Sequence, residues 1–182
     1  PKRNPMFAGL EIAAKCQPAF EVGGDYYDFL ELGPRKLGVV IGDVSGKGTQ
    51  AAFYMTLTKG FLKAVAGSAV SPANALIDVN RLFCHNVDRG TFISMVYAVF
   101  DTDRLTLSLA RAGHNPVIAR KRAEGTSEVL HPTGLALGLE AGETFSRTIQ
   151  ELTVPFDRGD LFVFYTDGFT EAMNSSLEEF GE

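Results

Sequence analysis

The order of hydrophobic patterns predicts an α+β fold with largely antiparallel sheets. Two observations carry this. Strand-like segments open the chain, two amphipathic helices follow one another, and many short strands joined by short turns complete it. A hairpin near the middle is apolar on both faces, so it belongs between two layers. Two sheets stacked face to face, with helices outside, satisfy both.

Each element has its own justification. Residues 11–16 read as a short strand after the Ala8-Gly9 turn. Residues 25–32 are rich in aromatics and leucine and lie between Gly23-Gly24 and Gly33-Pro34, which makes them a strand between turn signals. With residues 36–44 they predict an antiparallel hairpin. In its second strand Leu37, Val39, Ile41 and Asp43 share one face by the period of two. An aspartate thus ends a row of inward-facing aliphatics, a costly place for a carboxylate unless something pairs with it.

Gly46-Lys47-Gly48 breaks that strand. The spacing of Tyr54, Leu57, Thr58, Phe61, Leu62 and Val65 predicts a helix over Thr49–Ala66, with Gly67 as its stop. Phe53, Tyr54 and Phe61 are expected to make its core contacts. Ser71 as N-cap and Pro72 at the first helical position open a second helix, reaching Val87. Residues 92–100 and 105–112 form the doubly apolar hairpin around the turn at Asp101-Thr102-Asp103-Arg104. Short strands are expected over 117–120, 128–130, 144–152 and 160–166. In the last of these Leu161, Val163, Tyr165 and Asp167 share parity, so an aspartate again closes an apolar strand face.

Composition excludes several function classes. The 182 residues carry 17 Lys and Arg against 22 Asp and Glu, a net charge of −5. With no Lys/Arg block, a general nucleic-acid binder is excluded. No apolar run approaches the roughly 20 residues that span a bilayer, so no membrane insertion is expected. Pro1-Lys2-Arg3-Asn4-Pro5 is basic but lacks the apolar stretch of a signal peptide. Cys16 and Cys84 are expected as buried free thiols of a reducing cytoplasm.

Three segments share one logic, a strand delivering an aspartate beside glycines. They are Glu21-Val22-Gly23-Gly24-Asp25-Tyr26-Tyr27-Asp28, Gly42-Asp43-Val44-Ser45-Gly46-Lys47-Gly48 and Tyr165-Thr166-Asp167-Gly168. Carboxylates gathered at strand ends stay ionised together only with cations among them. Oxygen ligands without Cys or His clusters favour Mg²⁺ or Mn²⁺. Asp-Gly is also common in turns, so the case rests on all three segments together. Residues 42–49 are not a phosphate-binding P-loop, because three residues rather than four separate Gly42 from Gly46 and Gly48 follows Lys47. Ser45 and Thr49 have no base in a nucleophile pattern. Lys47 reads as a phosphate contact or a solvated loop lysine. His114 reads as a proton donor or, more commonly for its type, as a loop-ordering group. His85 and His131 read as surface residues.

The motifs Glu21–Phe29 (EVGGDYYDF), Ile41–Gly48 (IGDVSGKG), Ala112–Pro116 (AGHNP), Gly134–Gly138 (GLALG) and Gly159–Glu171 (GDLFVFYTDGFTE) occur in this order. In them the chain resembles the bacterial stress-response and sporulation branch of the PPM (PP2C-like) serine/threonine phosphatases, of the RsbU and SpoIIE type. The resemblance covers nearly all residues from Leu10 to Gly181. It implies an αββα sandwich of two mainly antiparallel sheets with a two-metal site at one edge. Asp25, Asp43 and Asp167 match its catalytic acids. Asp43 would bridge both metals, the carbonyl of Val44 would complete one shell, Asp25 would hold the second metal largely through waters, and Asp167 the first.

The resemblance further implies a metal-dependent protein phosphatase that hydrolyses phosphoserine or phosphothreonine by attack of a metal-activated water. Its substrate would be a phosphorylated anti-sigma-factor antagonist. An upstream sensor or receiver domain would be its partner, and a homodimer stays open. The competing readings are a catalytically weak PPM-like scaffold that binds a partner protein, and a phosphohydrolase acting on a small molecule. Two departures stand out. The family's last acid, usually in an Asp-Asp pair beyond a further helix, has no counterpart up to Glu182. The expectation is therefore one PPM-type domain over residues 1–182 without its C-terminal helix and final strand. Phe20 also stands where relatives often carry a basic residue.

Overall fold

The structure, a computed structural model, describes residues 1, 3–17, 23–46, 48–88 and 90–181. Phe20, Glu21, Val22 and Lys47, named above, lie outside the described residues. Strands β1 (Tyr26–Gly33) and β2 (Lys36–Val44) form the first hairpin, and helices α1 (Thr49–Ala66) and α2 (Pro72–Asn86) follow. Then come β3 (Ile93–Asp101), β4 (Thr106–Ala112), β5 (Val117–Arg120), β6 (Ser127–Leu130), α3 (Glu143–Thr148), β7 (Glu151–Pro155), β8 (Leu161–Val163) and α4 (Asp167–Thr170). The larger sheet has the order β1-β2-β3-β4-β7 and the smaller β6-β5-β8, with every neighbouring pair antiparallel.

Two apolar layers hold these parts together, one on each face of the larger sheet. Under α1 and α2, Val40, Val44, Tyr97 and Ala110 meet Leu62, Leu76, Val79 and Phe83. Between the sheets, Val96, Ala98, Phe100, Leu107 and Leu109 meet Val117, Ala119, Leu130 and Phe156. The rings of Phe156 and Phe162 stand edge-on to Phe100 at 5.8 and 5.5 Å. β3 is central and buried at nearly every position, which is the demand its two apolar faces make.

Helix ends follow local chemistry. The Ser71 hydroxyl accepts from the Asn74 amide at 3.4 Å, and Pro72 occupies the first turn where its missing N–H costs nothing. Of the three aromatics on α1, Tyr54 is buried and Phe61 packs at the core margin. Phe53 is 63 % exposed, because it lies off the stripe of Ala51, Tyr54, Met55, Thr58 and Leu62.

Three local expectations are corrected. Residues 11–17 form no strand: none of the described residues pairs with them in a ladder, and Cys16 is exposed there rather than buried. Cys84 is a half-buried free thiol. Residues 144–152 do not form one strand, since 143–148 are helical. Phe145 and Ile149, four apart, both reach the core beneath the helices, which is helical and not strand spacing. Only the last part continues as β7.

One buried carboxylate fastens α1 to the sheet. Asp28, in β1, is 4 % exposed. Lys59 and Lys63, one turn apart on α1, each place Nζ 3.2 Å from its Oδ2, and the Tyr26 hydroxyl donates to the same oxygen at 3.1 Å. Burial alone would push the Asp28 carboxyl up, but the Phe29 amide and the two ammonium groups outweigh it and hold it below the usual range. A carboxylate with a depressed pKa stabilises the fold above its unfolded pKa, near 4, and loses that contribution as pH falls through its folded value. Asp28→Asn should cost about 2 kcal/mol at pH 7, a figure discounted because both lysines are partly solvated. Acid unfolding curves check this: the gap between wild type and variant should close below pH ~4.

Candidate metal centre

β2 ends at the edge of the larger sheet and delivers Asp43 there. Ile41 and Val39, two and four residues back on the same face, pack into the layer between the sheets, so the alternation read from the sequence holds. The partner across β3 is Ser94, directly opposite Asp43 in the register. From the other side the backbone of Gly24 closes in. A β-carbon on Gly24 would stand 2.7 Å from Asp43 Oδ1 and 2.9 Å from the Val44 carbonyl oxygen. Only glycine leaves these two oxygens side by side and uncovered.

Asp25 and Asp167 lie exposed beside this cradle. The Thr166 hydroxyl donates to Asp25 Oδ2 at 3.2 Å, which ties the head of β1 to the segment carrying Asp167. β8 stops at Val163, and Asp167 is the first residue of α4 rather than the end of a strand. The parity differs as well. Leu161 and Val163 are exposed, while Phe162 and Phe164 face the inter-sheet layer. Asp167 thus reaches the cluster through a turn after the strand, not along an inward face.

The electrostatics register the crowding. Partial burial pushes the Asp43 carboxyl up to about 6, and the charges of Asp25, Asp167 and Glu171 add to the shift. Asp25 is also held above the usual range by partial desolvation, opposed by the Thr166 hydroxyl and reinforced by Asp167. Glu171, the end of the last motif, stands four residues after Asp167, one helical turn on, a spacing that the strand reading of this segment does not bring out. Among the described residues, no three Asp, Glu, His or Cys side chains close around a point tightly enough to hold an ion unaided. The donor set is nevertheless oxygen only, with Val44 O beside Asp43. It fits a hard dication that keeps several waters better than one caged by protein.

His114 lies behind the cluster, 3 % exposed. Its Nδ1 is 2.8 Å from Ser94 Oγ, and its Nε2 is buried with no hydrogen-bond partner. Burial pushes its pKa down to about 4, against the favourable charge of Asp167 and the Tyr165 carbonyl. So enclosed, it has no open path by which to give a proton to a substrate. Gly134 lets the next loop approach, since a β-carbon there would collide with the Arg111 carbonyl oxygen. The Gly113 amide donates to the Gly134 carbonyl at 3.0 Å.

The family model described as Stage II sporulation protein E (SpoIIE) matches residues 33–182. The chain belongs to the SpoIIE family. Phosphoserine phosphatase RsbU of Bacillus subtilis is 32 % identical over 167 residues, which are 92 % of this chain and 48 % of RsbU. Protein IcfG of Synechocystis is 31 % identical, covering 97 % of this chain and 31 % of IcfG. The chain therefore spans half or less of the length of these relatives. Among solved structures, the RsbU and RsbW domains of Rv1364c from Mycobacterium tuberculosis superpose with a TM-score of 0.71 at 26 % identity, covering 86 % of this chain and 42 % of that one. The SiaA-PP2C domain of Pseudomonas aeruginosa has the same fold, with a TM-score of 0.73 at 22 % identity over 88 % of this chain and 62 % of that one. The two-sheet sandwich of this SpoIIE-family chain is thus PP2C-like.

A raised carboxyl favours the fold while it is protonated. That contribution is fully present below the unfolded pKa of about 4 and is lost as pH rises through about 6. In the metal-free protein, thermal stability should fall across that window. Asp43→Asn should flatten the fall and raise the melting temperature at pH 7, which scanning calorimetry in chelator measures.

Proposed function

We propose that this SpoIIE-family domain is a metal-dependent protein phosphatase acting on phosphoserine or phosphothreonine. The observation that carries the reading is the cradle in which Gly24 bares Asp43 Oδ1 and the Val44 carbonyl, flanked by two further carboxylates. Asp25, Asp43, Val44 and Asp167 would hold the ion, Mn²⁺ or Mg²⁺. When bound, a dication of this kind neutralises phosphoryl oxygens and lowers the pKa of water.

The chain's own residues set the stage. β2 fixes Asp43 at a sheet edge, the Thr166 hydroxyl orients Asp25, and α4 presents Asp167. Asp25, Asp167 and Glu171 are exposed, so the rim is open. A phosphorylated side chain on a protein surface reaches such a rim without entering a deep cavity, which favours a protein over a small-molecule substrate. The relative named phosphoserine phosphatase RsbU supports the same chemistry. We take the substrate to be a phosphorylated anti-sigma-factor antagonist in the cytoplasm, with an upstream sensor or receiver domain as partner. Among the described residues, no helix is long and apolar enough to cross a membrane.

A second reading, a scaffold that binds a partner without turnover, draws on the absence of a closed three-ligand cluster among the described residues. Phosphate release from a phosphoserine-bearing antagonist protein, with and without Mn²⁺, separates the two. The phosphatase should turn over only with metal, and Asp43→Asn should lower the rate by about 100-fold or more. Metal-independent binding of the phosphoprotein without phosphate release would establish the scaffold.

A further inference from the structure

Ser94 stands at a junction of three segments. Across β2 it opposes Asp43. On the other edge of β3 its two neighbours are pinned: Ile93 exchanges both backbone hydrogen bonds with Leu137, at 2.9 Å each, and Met95 bridges Gly113. The residue after Gly113 is His114, whose Nδ1 shares a hydrogen bond with Ser94 Oγ at 2.8 Å and so fixes where that oxygen points. The His114 carbonyl is held in turn by Arg111, whose Nη1 donates to it at 2.6 Å while Nε donates to the Pro132 carbonyl at 2.9 Å.

Residues directly opposed on antiparallel strands carry their β-carbons about 5 Å apart on one face. A Ser94 hydroxyl released from His114 would therefore share its face of the sheet with the carboxylate of Asp43. In the structure it does not go there. No described side chain donates to Asp43, and Ser94 is committed to His114. A buried imidazole is a costly way to fill space, since two polar nitrogens must be taken out of water. A merely packed position would be filled better by leucine.

We propose that His114 is a positioning residue: by binding Ser94 it keeps that hydroxyl off Asp43, whose carboxylate oxygens stay free for the ion. The proposal rests on the metal-centre reading above. Groups that orient metal ligands from behind typically change metal affinity about 10- to 100-fold when removed.

The experiment is a calorimetric Mn²⁺ titration of the whole chain, with metal-free melting temperature as the control for folding. His114→Leu should weaken Mn²⁺ binding by about 10-fold or more. Ser94→Ala should bind as wild type does, and Ser94→Ala combined with His114→Leu should recover most of the lost affinity, because the stray hydroxyl is gone. Should His114→Leu fail to fold, two polar replacements carry the test. The amide of His114→Asn reaches the place of Nδ1 and should preserve affinity. That of His114→Gln reaches the place of Nε2 and should not.

A double variant as weak as His114→Leu alone, or Asn and Gln variants that bind alike, would overturn the proposal while leaving the metal centre standing. If the wild-type chain shows no Mn²⁺ binding at all, the metal-centre reading fails and this inference falls with it.

Discussion

Like charges are brought together here at one sheet edge, and the rest of the structure is arranged so that they can be. Asp43, Asp25, Asp167 and Glu171 come from the ends of β2, β1 and the short turn of α4, so the chain cannot relieve their repulsion locally. Asp43 in particular cannot retreat. Its strand is gripped on both faces, by the helices through Val40 and Val44 and by the second sheet through Val39 and Ile41. A carboxylate on a mobile loop would swing toward water. One at the end of a doubly buried strand stays and absorbs the cost as a raised pKa.

Asp28 shows the opposite solution to the same problem. It is more deeply buried than Asp43 and only three residues beyond Asp25, yet it is held in its charged form by Lys59, Lys63 and two hydrogen-bonded donors. The contrast separates an acid paired within the fold from one crowded by like charges. Where the fold wants a buried negative charge as a fastener, it supplies cations and donors from its own helix. At Asp43 it supplies more acids and bares a carbonyl oxygen instead. Among the described residues no cation pairs with Asp25, Asp43 or Asp167, so their repulsion is not offset there as it is at Asp28.

The sequence made part of this legible. Period-two alternation was enough to put Asp43 at the end of an inward face, because both faces of β2 are lined by aliphatics. Ser71-Pro72 marked a helix start through chemistry confined to four residues. Longer reach defeated the pattern. Leu161 and Val163 alternate as an inward face would, but hydropathy does not say which side of a sheet is covered, and the covered residues are Phe162 and Phe164. Residues 11–16 have the composition of a strand and no partner to pair with. Phe145 and Ile149 fit a helix by their four-residue spacing, which a short window of mixed polarity hides. His114 carried a weak signal by itself, since what it does depends on a serine 20 residues earlier in sequence.

That last distance explains why motifs scattered along the chain act as one unit. Gly113 and Gly134 meet backbone to backbone, Leu137 pairs with Ile93, and the α2 residue Asn80 accepts from Gly138 and donates to the Glu140 carbonyl. These contacts lie along the edge of β3 that faces away from β2, one strand behind Asp43. The loops of AGHNP and GLALG thus touch the acid cluster through β3. A backbone ladder is a stiff connection because its hydrogen bonds are shared by both partners. A shift of α2 that moved Asn80 would pull on Gly138 and Leu137. Through Ile93 and Ser94 it would then reach the strand pair that carries Asp43. The side of the sheet that carries the acids is exposed and built from short turns, while its rear is buried and closely bonded. The geometry of the acids is therefore decided from behind.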